Sequence, residues 1–138
     1  RRNNCLIVFS FGSCVCSGQM SQVEEGIMHK VVLFVDPSVS QLNEYAWRFE
    51  ADWRIECVRS PWMALYFISK NQVDLVVTEV NFADMNFDDF LRQARDHRPG
   101  LSFLIVSNRH HPCSLLQLRK PVDYLELKRT IESVLARM

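Results

Sequence analysis

Four polar side chains stand where a parallel sheet would gather them: Asp36, Glu79, Ser107 and Lys120. Asp36 ends the apolar run Lys30–Val35, Glu79 ends Asp74–Thr78, and Ser107 ends Leu101–Val106. Lys120 follows Leu115–Arg119 and precedes Pro121. Open α/β sheets carry their chemistry at the carboxyl ends of the strands, so polar residues there mark a site. Acids, a hydroxyl and a lysine around one central carboxylate suit the transfer or acceptance of a phosphoryl group. The lysine and hydroxyl would hold phosphoryl oxygens, and the acids would hold a divalent metal. Glu79 is the most telling of the four, because its carboxylate is one methylene longer than that chemistry wants.

The elements that must position these groups follow from periodicity. Lys30–Val35 is a continuous apolar run, as in a strand buried on both faces. Pro37-Ser38 breaks it and opens a helix, with Pro suited to the first turn. Val39, Leu42, Ala46 and Phe49 recur on one face of that helix. Arg54–Val58 alternates and predicts an edge-side strand. Ser60 caps a second helix with Pro61 inside it and Met63, Ala64, Phe67 and Ile68 inward. Asp74–Thr78 is the third strand. Asp88–His97 is a helix with Phe90, Leu91 and Ala94 inward, stopped by Pro99-Gly100. Leu101–Val106 and Leu115–Arg119 are the last two strands. A final amphipathic helix spans Val122–Met138, with Leu127, Ile131, Val134 and Leu135 on one side. Alternating strands and helices predict a doubly wound parallel sheet.

Ser107 and Lys120 are only 13 positions apart. A helix, a strand and their loops need more than about 20 residues. The segment Asn108–Ser114 is therefore expected to be a loop or a single turn, with the fourth helix shortened or missing.

Composition narrows the function classes. The chain has 138 residues, 48% of them hydrophobic, which suits one domain with a substantial core. Sixteen Lys and Arg balance sixteen Asp and Glu, so no net charge favours nucleic acid or an anionic membrane. No run of 18 apolar residues is present to span a bilayer. The five cysteines have no paired metal-ligand spacing; Cys57 and Cys113 read as buried thiols in a reducing, cytoplasmic compartment. Residues 1–28 differ in character, with Arg1-Arg2 before the apolar run Cys5–Phe11 and then small residues. An upstream extension, a linker and an export signal are the three readings. The domain is therefore taken as 29–138.

From Lys30 to Met138 the chain resembles a response regulator receiver domain of two-component systems. The matching residues are Leu33-Phe34-Val35-Asp36, Asp74–Asn81, Asp84-Met85, Ile105-Val106-Ser107 and Lys120-Pro121-Val122-Asp123. The resemblance implies a flavodoxin-like (βα)5 fold with strand order 2-1-3-4-5. It implies a phospho-acceptor at position 79, Mg beside it, and a histidine kinase as donor in a phosphorelay. Ser107, Lys120 and Pro121 fall on the phosphoryl and switch positions, and Asp36 on the acidic pocket. The family often uses a cis peptide at the position of Lys120–Pro121, against the general preference for trans.

The departures are as informative. Glu79 replaces the acceptor Asp and moves the carboxylate out by about 1.5 Å. Pro37 replaces the second of two adjacent acids, and Asp36 fills one of those two positions, with either assignment open. Ala83 and Phe87 replace an expected Pro and Gly. Gln117 stands where an aromatic usually reports the switch. No Mg site is assigned; Asp36, Glu79 and Asn81 would be its ligands if the ion bound.

Each feature also has a plainer reading. Glu79 by itself is an ordinary acid, and Ser107 an ordinary strand cap. His110-His111, without supporting acids or cysteines, reads as a solvated loop pair before it reads as a metal or phosphoryl site. Trp47, Trp53 and Trp62 read as core and edge packing, with a partner-binding patch as the alternative. A degenerate, or pseudo-, receiver is the expected function: a signalling module acting through protein partners, in which Glu79 and Lys120 form a fixed ion pair. The alternative is a working receiver phosphorylated by a histidine kinase, with Asp84 or Asp88 as substitute acceptors. A flavodoxin-like cofactor binder is disfavoured, since only four glycines are present and no phosphate-cradling loop follows the first strand. No nucleophile–base pair is apparent, so no catalytic residue is assigned and no enzyme is expected. The oligomeric state stays open.

Overall fold

Three of the five strands, Val31–Val35, Leu75–Thr78 and Ser102–Ser107, are apolar enough to be buried on both faces, and they set the architecture. The computed structural model describes residues 29–137; the segment 1–28 and Met138 lie outside the described residues. In chain order the elements are β1 (Val31–Val35), α1 (Val39–Phe49), β2 (Arg54–Val58), α2 (Pro61–Lys70), β3 (Leu75–Thr78), α3 (Phe87–His97), β4 (Ser102–Ser107), β5 (Leu116–Arg119) and α4 (Tyr124–Ala136). Every neighbouring strand pair is parallel. The sheet order is β2-β1-β3-β4-β5, which is the expected flavodoxin-like topology.

Alternation along each strand feeds two cores. On one face Val32, Phe34, Leu75, Val77, Leu104 and Val106 pack against Leu42, Tyr45 and Phe49 of α1 and Leu127 and Ile131 of α4. On the other, Leu33, Val35, Val76, Phe103 and Ile105 pack against Ala64, Phe67 and Ile68 of α2 and Phe90 and Ala94 of α3. Leu127 and Ile131 are fully buried, and burial of such a side chain contributes roughly 1.5–3 kcal/mol relative to exposure. Phe34 stacks on Tyr45 with ring centroids 4.4 Å apart, so β1 and α1 share an aromatic seam.

Helix starts are chemically marked. Ser60 caps α2 by accepting from Met63 N–H, and Asp123 caps α4 by accepting from the N–H groups of Leu125 and Glu126. These caps stop α4 short of the expected start at Val122. Ser38, not Pro37, is the N-cap of α1; it accepts from Gln41 N–H, so Pro37 lies before the helix and outside its first turn. Asn86 caps α3, which brings Phe87 inside the helix and into the core.

Some expectations fail on the surface. Val39 is exposed because it occupies the first turn of α1, ahead of the buried stripe. Trp47 and Trp62 are 65% and 53% exposed, since they lie on the outer faces of α1 and α2; only Trp53 is buried. Cys57 is buried, but Cys113 is exposed on the β4–β5 loop. No helix separates β4 from β5. As expected from the spacing, a loop stands where a fourth helix would, and among the described residues four helices serve five strands. Among the described residues no helix is long and apolar enough to cross a membrane.

Candidate functional site

The site lies at the carboxyl rim of β1, β3, β4 and β5. Asp36 N–H donates to Val58 O at 3.2 Å, which carries the β1–β2 pairing one residue past the strand. Glu79 N–H donates to Val35 O at 3.0 Å and does the same between β3 and β1. Lys120 N–H donates to Ser107 O at 2.9 Å. These ladder extensions aim three side chains from distant chain positions at one point. The Lys120–Pro121 peptide is cis.

The Lys120 ammonium donates to Asp36 Oδ2 at 2.8 Å and to Glu79 Oε1 at 2.9 Å. The other two carboxylate oxygens are also occupied: Asp36 Oδ1 accepts from Ser38 N–H at 2.9 Å, and Glu79 Oε2 accepts from Val80 N–H at 3.0 Å. Asp36 and Glu79 are buried, with side chains 3% and 9% exposed, while Lys120 retains 21%. Ionised acids at such burial need a cation and hydrogen bonds to stay charged.

Burial by itself would raise the Glu79 carboxyl, but hydrogen bonds from Ser107, Lys120 and Val80 N–H, with the lysine charge, outweigh it and hold the group below its ordinary value. Burial likewise pulls Lys120 down, and its bonds to Asp36 and Glu79 push it above its ordinary value instead. Both shifts mean that the folded state favours the charged forms of this pair. Near the acids lies Tyr45, whose phenol is pushed up by burial and by the negative charges of Asp36 and Glu79. Ser107 is buried and its Oγ accepts from Arg109 N–H at 3.3 Å.

The rim therefore joins Asp36, Glu79, Ser107 and Lys120, with Pro121 beside them. Asn81 is separate, exposed on the β3–α3 loop. Asp84 and Asp88 are exposed too. Asp88 Oδ1 lies 3.1 Å from His111 Nε2 instead of turning to the rim.

The donor set does not match a dication. Among the described residues no group of three or more His, Cys, Asp or Glu is placed to hold a metal ion. The two acids that do converge have all four oxygens engaged by protein donors, with an ammonium between them. A residue that could add a third carboxylate is missing, since Pro37 follows Asp36.

A second arrangement, not foreseen from sequence, holds the loop that replaces the fourth helix. Gln117 Oε1 accepts from His111 N–H at 2.9 Å, and Gln117 Nε2 donates to His111 O at 2.6 Å. The His111 ring meets Phe87 edge-on, with centroids 5.1 Å apart. The expected solvated histidine pair is thus split: His110 is exposed, while His111 is partly buried. The Asn108–Ser114 spacing showed that a loop must be here. Nothing in the sequence pairs an amide with a backbone six residues upstream.

No family model matches the chain, and no curated protein does. Solved structures do match. One is a response regulator receiver domain protein (CheY-like) from Methanospirillum hungatei JF-1, with a TM-score of 0.74 and 20% identity over 80% of this chain and 96% of that one. A signal receiver domain of an HD domain-containing protein from Pseudomonas fluorescens Pf-5 gives a TM-score of 0.73 and 17% identity, covering 80% and 97%. The response regulator TrrA from Thermotoga maritima, solved in complex with Mg2+–BeF, gives 0.69 and 15%, covering 76% and 98%. The fold is that of a receiver domain. Within the receiver fold, the rim described above lies at the carboxyl ends of the strands, where an open α/β sheet presents its groups.

Proposed function

We propose that this chain is a receiver-like signalling module, a pseudo-receiver, that acts by protein–protein contact with phosphorylation at position 79 impaired. The observation that carries the reading is the Lys120 ammonium bonded at once to Asp36 and Glu79. The three charges form a closed, locally satisfied set. A phosphodonor would have to break the Glu79–Lys120 bond and expose a carboxylate that burial already limits. The extra methylene of Glu79 moves the nucleophilic oxygen by about 1.5 Å, far outside the tolerance of in-line transfer. The missing second acid removes much of the charge that would hold a metal against the leaving oxygens. The fixed ion set would keep the rim in one signalling state. Its partners would be signalling proteins such as a histidine kinase of a two-component phosphorelay, met in the cytoplasm, and no catalytic residue or cofactor is assigned.

Intact-mass measurement after incubation with acetyl phosphate and Mg2+ tests this. The mass is expected to stay unchanged. A stoichiometric gain of one phosphoryl group on Glu79 would overturn the reading, and a gain that survives Glu79→Gln would move the acceptor to Asp84 or Asp88.

A further inference from the structure

Helix α2 has an apolar inner face and a second, different set of large side chains outside. Ala64, Phe67 and Ile68 are buried, while Trp62 and Tyr66 are 53% and 58% exposed. The two aromatics are four residues apart, so they lie one turn above the other on the outer face. Lys70 continues the row by another turn, and its ammonium lies 5.6 Å from the Tyr66 ring centroid. No acidic residue occurs anywhere in Pro61–Lys70. The stripe therefore has an aromatic ring at one end, a cation at the other and a second ring between them.

We propose that this stripe is a self-association surface that pairs two copies of the chain about a two-fold axis through Tyr66. A two-fold contact must be self-complementary, each patch meeting the same patch reversed. Two antiparallel α2 helices crossing at Tyr66 place Trp62 of each copy opposite Lys70 of the other. Each ammonium then meets an indole face, the strongest of the cation–π partners, and the two Tyr66 rings meet at the axis. A parallel pairing would set lysine against lysine, so the antiparallel one is selected. The net charge of zero leaves no long-range repulsion between copies. A second copy is favoured over a foreign partner because the stripe already carries both halves of the complementary contact.

The contact is short, so a weak dimer is expected, with Kd on the order of 100 µM. Sedimentation velocity of the full chain, taken up to about 1 mM, should show a concentration-dependent dimer. Trp62→Ala should weaken it about 10-fold or more, as for a central aromatic anchor. Lys70→Glu should weaken it as well, and Trp62→Phe should retain most of it. Circular dichroism checks that these exposed substitutions leave the fold intact. A chain that stays monomeric at every concentration would overturn the proposal. So would a dimer indifferent to both Trp62→Ala and Lys70→Glu, which would place the contact elsewhere.

Discussion

The two ends of β5 are anchored by different forces. At the rim, Lys120 is held between two buried carboxylates at 2.8 and 2.9 Å. Along the loop, His111 is held by the neutral amide of Gln117 through two hydrogen bonds. The rim is an all-or-none arrangement, since removing one charge strands the others in a poor solvent. The clamp is graded, since a lost amide leaves backbone groups that water can still reach. Ionic placement thus serves the point where three strands converge, and a neutral amide clamp on the backbone serves the segment that stands in for a helix.

Removing the lysine should break the contrast most visibly. Lys120→Met leaves two buried acids unpaired and is expected to cost about 3–5 kcal/mol of unfolding free energy, read by urea denaturation. The loss should depend on pH in a definite sense. Although burial acts to raise it, the folded-state Glu79 carboxyl lies below its ordinary 4.5, so its share of stability is present above that value and fades as the pH falls through the lower folded one. In the variant the lysine's share of that lowering is gone. The gap between the two proteins should narrow as the pH falls below 4.5. A constant gap across that range would show that the charge set does not govern the rim.

Gln117→Ala tests the neutral side of the comparison. Loss of both bonds to His111 is expected to cost about 1–3 kcal/mol. Hydrogen exchange should quicken at His111 N–H, whose acceptor is lost, while Lys120 N–H, bonded to Ser107 O, stays protected. Equal quickening at both would mean that loop and rim are one unit.

A smaller effect sharpens the ionic case from the opposite edge of the sheet. Glu56 is buried beside Arg54, at 3.4 Å, and burial outweighs that partner, leaving the carboxyl raised above its ordinary 4.5. A raised carboxyl favours its proton when folded, so its contribution is present below the ordinary value and lost as the pH rises through the folded one. Glu56→Gln should therefore be slightly more stable than the parent at pH 7, on the order of 0.5 kcal/mol. Thermal melts should show that advantage vanish in acid. Glu79, held charged by an ammonium, and Glu56, poorly paired, thus give opposite signs.

Strand order and the missing helix were legible because both rest on strong local patterns. Apolar runs cut off by Asp36, Glu79 and Ser107 mark buried strands and their carboxyl ends together, and 13 positions cannot contain a helix and a strand. The convergence of Lys120 on Asp36 and Glu79 followed from that topology. Less was legible where a residue's type says little about its face. Trp47 and Trp62 are apolar but lie outside, because their helices had already filled the inner stripe with Tyr45, Ala46, Ala64 and Phe67. Cys113 was misplaced because its loop has no periodicity to read. Gln117 was legible only as a departure; its partner is a backbone, which leaves no trace in side-chain pattern.

Strand β5 is short, lies at the margin of the sheet and, among the described residues, pairs only with β4. Through the Lys120 side chain its end is nonetheless fastened to β1 and β3, two strands it never touches by backbone. That diagonal brace means the margin cannot peel away by itself: loosening it shears charges at the centre of the sheet, so the weakest strand fails only together with the strongest.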